Sequence, residues 1–133
     1  MGSFLVDSYK VRLELQRSGN PVVTTRNRII EITSVMEAHG IIETAMLFFS
    51  TTWDNWQNTP AVGFLSSSNL LRPVVTCWLP STEYSFWYDV LRSEKPLTFV
   101  YNVSPIGGAT YVNDITLGTS SEPIGEGPND VSP

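Results

Sequence analysis

Residues 9 to 16 read YKVRLELQ, with Tyr9, Val11, Leu13 and Leu15 on one side of an extended chain and Lys10, Arg12, Glu14 and Gln16 on the other. Successive side chains of a strand point to opposite faces, so an apolar residue at every second position specifies a half-buried strand with one wet face. The same period of two recurs along most of the chain. It constrains the fold more than any other feature, because a helix of such residues would scatter its apolar side chains around the axis.

Further strands are expected at about 22–34, 41–50, 73–79, 83–91, 97–103 and 109–117, with a short one in GFLSSS. They are rich in β-branched and aromatic residues and are separated by RSGNP, EAHG, PST, RSEKP and SPIGG, all turn-forming. MLFF at 46–49 is apolar on both faces, which marks a central strand covered on both sides. The segment 34–47 also carries a weaker helical spacing through Val35, Ala38 and Ile42, against which Gly40 and the β-branched flanks count. Seven to eight strands at this spacing indicate an all-β protein, an antiparallel β-sandwich, with a closed barrel as the alternative. Residues 1–117 form the expected single domain, and 118–133 an extended Gly/Pro/acidic tail with Ile124 as its one apolar anchor. At 133 residues a chain buries enough surface to fold without a disulfide or a metal.

Composition restricts the chemistry. Thirteen acidic against eight basic side chains give a net charge of -5. No run of Lys and Arg makes a nucleic-acid footprint, and Arg26 and Arg28, on one face of a strand, read as a solvated face. The lone Cys77 excludes an internal disulfide or a multi-thiolate zinc site, and its apolar surroundings suit a buried small hydrophobe. His39, the one histidine, stands in a turn, so neither a Ser-His-Asp triad nor a histidine metal site is expected. PIGGAT has no phosphate-binding partner residues and reads as a hairpin turn. No catalytic residue, metal ligand or cofactor is assigned. An oxygen-ligand calcium site would need Asp54, Asp89 and Asp114 to converge. A carboxylate hydrolase would use a pair such as Glu83 and Asp89 on one strand face. No apolar run reaches 18 residues, and the N-terminus shows no export signal, which is compatible with the cytoplasm.

Aromatic placement carries the functional expectation. Phe48, Phe86 and Phe99 are expected in the core, as are Tyr84, Tyr88 and Val90, which turns Trp87 outward. Trp53 and Trp56 stand in TTWDNWQNTP, the start of the longest irregular stretch, 51–70. Indole offers a flat apolar face and one N–H, suited to stacking on a sugar ring, and neighbouring amides and carboxylates suit its hydroxyls. Trp53, Asp54, Asn55, Trp56, Gln57 and Trp87 are therefore the expected ligand-binding set. The expectation is a non-catalytic binding module for carbohydrate or a protein partner. Its rivals are a core plug at the end of the fold, an assembly subunit of a homo-oligomer and a small carboxylate-dependent hydrolase.

Overall fold

A computed structural model describes residues 2–36, 40–54, 61–67, 72–106 and 109–119. Among the described residues the strands are β1 (Gly2–Ser18), β2 (Val23–Ser34), β3 (Thr44–Ser50), β4 (Gly63–Ser67), β5 (Val74–Pro80), β6 (Thr98–Ile106) and β7 (Ala109–Gly118), and one α-helix, α1 (Tyr84–Ser93), lies between β5 and β6. The protein is all-β, as expected, with seven strands among the described residues. They hydrogen-bond in the closed order β1-β2-β3-β5-β4-β7-β6, with β6 returning to β1 through Gly2↔Tyr101 to Leu5↔Thr98. One pair, β3–β5, is parallel. The chain between them must therefore cross over, and it does so through 51–73, which contains β4.

The ring's interior is read from its register. Ile30, Leu47, Cys77, Gly63, Val112 and Val103 lie side by side on consecutive strands, with Val11, 40% exposed, beside Ile30 at the edge of the row, and Tyr9, Ile32, Ala45, Val75 and Leu65 form a second row. Ile30, Ile32, Ala45, Leu47, Cys77 and Val112 are completely buried. Gly63 is required within this crowded row, because a Cβ there would collide with the carbonyl oxygen of Thr76 and lie 2.7 Å from Cys77 Cα.

Residues 83–91 depart from expectation: they enter α1 instead of a strand. A 3-10 turn, Ser81–Glu83, leads into the helix. Tyr84, Trp87, Tyr88 and Leu91 have i, i+3, i+4, i+7 spacing, which a helix gathers on one face. That face packs on Phe49 through Tyr84, on Tyr9 through Tyr88 and on Phe99 through Trp87, and Leu91 enters the core. Phe86 is consequently exposed at 65%, and Trp87 is half-buried, so their expected orientations are reversed. Glu83 and Asp89 do not share a strand face, and Asp89 instead pairs with Arg92 along the helix. Short apolar runs of eight or nine residues do not distinguish a strand from a helix by period alone.

A second departure concerns YKVRLELQ. β3 pairs with β2 only from Arg28 to Thr33, and β6 pairs with β1 only from Gly2 to Leu5. The remaining part of β1–β2 is a two-stranded ribbon that leaves the ring. Leu13 is 72% exposed and Leu15 56%, so the face that is buried at Val11's neighbour Ile30 becomes a wet surface farther along. Gly19, with φ +90°, turns the ribbon at its tip.

Candidate aromatic binding surface

β3 and β5 alternate inner and outer residues. Leu47, Phe49, Cys77 and Leu79 point inward, which places Phe48 and Trp78 outside. These two are register partners across the parallel pair, and their rings lie 6.2 Å apart with planes only 21° from parallel. Phe64, on β4, adds a third ring 5.0 Å from Trp78 at 38°. The 3-10 turn Thr51–Trp53 directly follows β3 and carries Trp53 to 6.2 Å from Trp78 at 43°. Four aromatic rings thus form a shallow curved platform on the outside of three neighbouring strands. Phe48, Trp53 and Trp78 are half-buried, while Phe64 and its register partner Tyr111 are each 37% exposed. Ile29, beside Phe48, is buried on the same outer face and extends the apolar row.

The start of the 51–70 segment is fixed by hydrogen bonds. Ser50 Oγ accepts from Thr52 N at 3.2 Å and caps the turn. Asp54 Oδ1 accepts from Ser81 N at 2.8 Å and from Ser81 Oγ at 2.9 Å. Asp54 is therefore an anchor between two turns. Asn102 Nδ2 donates to Asp114, and Arg92 donates to Asp89. The three aspartates weighed as a calcium set are thus engaged on different elements.

Of the expected site residues, Trp53 joins the platform, Asp54 is bonded to Ser81, and Trp87 lies on α1 in contact with the core residue Phe99. Asn55, Trp56 and Gln57 lie outside the described residues, as does His39. Phe48, expected in the core, lies instead on the outer face between the buried Leu47 and Phe49, and Phe64 and Trp78 join it there as surface residues with no role assigned from the sequence. Their signal is present in it: a strand apolar on both faces must put one aromatic of Phe48–Phe49 outside, and Trp78 sits between two inward residues.

Two acidic side chains are suppressed by their surroundings. Burial pushes the Cys77 thiol up to about 12. Burial, and then the charge and hydrogen bond of Glu43, push the Tyr101 phenol up to about 12. A thiol held protonated at neutral pH is a poor nucleophile, in keeping with Cys77 as a core residue. Among the described residues no helix is long and apolar enough to cross a membrane. In comparison with known proteins, no family model, no curated protein and no solved structure matches the chain.

Proposed function

We propose that the protein is a non-catalytic binding module and that the platform of Phe48, Trp78 and Phe64, edged by Trp53, recognises carbohydrate. The observation that carries this reading is the near-parallel Phe48–Trp78 pair at 6.2 Å, on outward positions of adjacent strands. Rings held side by side on a rigid sheet present a continuous apolar strip at little entropic cost, and the C–H faces of consecutive sugar units stack on such a strip. Titration of the intrinsic tryptophan fluorescence with oligosaccharides of glucose, galactose and N-acetylglucosamine tests it. A saturable change is expected with at least one sugar, and it is lost in Trp78→Ala and Phe64→Ala. Unchanged spectra across the panel count against the reading.

The ribbon favours a second reading, an assembly subunit of a homo-oligomer. Beyond Arg28, β2 has no β3 partner, and Leu13, Leu15, Val22 and Val23 are exposed on the same hairpin. Unpaired strand edges and exposed apolar side chains are the usual means by which sheets of two copies join. Light scattering decides it: an oligomer that Leu13→Asp plus Leu15→Asp reduces to monomer supports assembly, and a wild-type monomer at high concentration removes it.

A further inference from the structure

Where the ribbon leaves the ring, a groove of about 540 Å³ opens between it and the turns that follow β3 and β5. The ribbon-side wall is Thr24, Arg26 and Arg28, on alternate positions of β2 and therefore on one face. Phe49 contributes from the ring, and Thr51, Ser81 and Thr82 form the opposite wall. The volume falls within the range of small-molecule sites.

The charge on this face is one-sided. Register partners Leu13↔Arg28, Leu15↔Arg26 and Arg17↔Thr24 place Arg17, Arg26 and Arg28 together with leucines and a threonine, whereas Glu14 and Glu31 lie on the opposite face with Lys10 and Arg12. Among the described residues the two ion pairs are Lys10–Glu31 and Arg92–Asp89, so Arg26 and Arg28 have no carboxylate partner there. Arg28 is also held in place, with its guanidinium carbon 4.8 Å from the centre of the Tyr84 ring. Stacking occupies the faces of the guanidinium and leaves its in-plane N–H donors available. On the opposite wall Asp54 Oδ1 is engaged by the Ser81 N–H and hydroxyl, and Glu83 follows Thr82 in the same turn.

We propose that this groove binds a small phosphorylated molecule, with its phosphoryl oxygens shared between Arg26 and Arg28. A carboxylate has two oxygens and is satisfied by one bidentate guanidinium. Two arginines at alternate positions of one strand face, their Cα atoms about 7 Å apart, with threonine hydroxyls beside them, suit a group with three oxygens and up to two negative charges. The rest of the ligand lies along Phe49 and the Thr51–Thr82 wall. This site is separate from the aromatic platform, and either can fail without the other.

The test is amide chemical-shift titration of the whole chain at fixed ionic strength with inorganic phosphate, ribose 5-phosphate, adenosine monophosphate and, as the carboxylate arm, acetate. Shifts centred on residues 24–28, 51 and 81–82 are expected with phosphate, with tighter binding for a phosphorylated sugar or nucleotide. Arg26→Gln weakens binding about tenfold or more, as loss of a charge-assisted pair does. Arg28→Lys keeps the charge but loses the fork and weakens binding similarly. Arg26 has no packing role in the core, so Arg26→Gln leaves the spectrum otherwise unchanged even if Arg28 variants disturb the fold. Equal shifts with acetate, shifts spread over Lys10 and Arg12 on the other ribbon face, or unaltered affinity in Arg26→Gln overturn the proposal.

Discussion

The Asp54 carboxylate accepts hydrogen bonds from both the backbone N–H and the side-chain hydroxyl of Ser81, at 2.8 and 2.9 Å. It thereby clamps together the two 3-10 turns that follow the parallel strands β3 and β5. The clamp sets the end of the aromatic platform, because Trp53 immediately precedes Asp54. Asp54→Ala leaves the Ser81 N–H to solvent and costs about 1–2 kcal/mol in urea unfolding. It should also red-shift the tryptophan emission as Trp53 loosens from Trp78. An unaltered emission maximum in a folded Asp54→Ala protein contradicts the clamp.

Gly63 faces the interior between Cys77 and Val112, where a Cβ has no room beside the Thr76 carbonyl. Gly63→Ala is expected to destabilise by about 1–3 kcal/mol, the usual cost of overpacking a filled core. Equilibrium unfolding measures it. Gly118, where a Cβ meets nothing within 4 Å, serves as the control, and Gly118→Ala changes stability little.

The two faces of α1 are expected to respond oppositely. Leu91 is 6% exposed and belongs to the core cluster, so Leu91→Ala costs about 2–5 kcal/mol. Phe86→Ala, on the wet face, shifts stability by no more than about 0.5 kcal/mol. Similar costs for both would mean that 84–93 does not pack as a helix in this orientation.

Alkaline pH should unfold the protein through two buried acids. Both Cys77, ordinarily near 9.0, and Tyr101, ordinarily near 10.0, are raised to about 12 in the folded state. Raised folded values mean that the unfolded chain loses these protons first as pH rises. The associated stability is fully present below pH 9 and is lost progressively toward pH 12. Unfolding midpoints measured from pH 8 to 11 should fall, and Cys77→Ala should delay the onset by about one pH unit, to where tyrosine begins to ionise. A midpoint that stays level through pH 11 rules out the burial of both groups.

The ribbon's leucines should be cheap to replace in a monomer. Leu13→Ser and Leu15→Ser are expected to cost no more than about 0.5 kcal/mol each, whereas Ile30→Ala on the same face, one strand pair inward, costs about 2–5 kcal/mol. Denaturant curves at low protein concentration separate the two cases. A large cost at Leu13 would place the ribbon against other parts of the protein or against a second copy.

Period-two alternation locates most of the strands, because the direction of each side chain in a strand is a local property of the backbone, but it also makes a strand of the helical residues 84–91. β2, β3, β5, β6 and β7 begin and end close to where turns and alternation place them, and Cys77 is buried as its neighbours imply. Which side of a strand is wet is a different matter. Leu13 and Ile30 lie on one face of the same ribbon, yet Leu13 is exposed and Ile30 is not, because only the closure of the ring determines how far along the hairpin other strands cover it. The parallel β3–β5 pairing likewise depends on a crossover of more than twenty residues, and it alone brings Phe48 beside Trp78. At 84–93 the nearby β-rich pattern is overridden by packing, since Trp87 and Leu91 reach Phe99 and the core only when the chain turns through a helix. Local covalent geometry thus sets the strands, while long-range contacts, whose partners are distant in the chain, choose the exposed faces and assemble both the aromatic platform and the arginine groove.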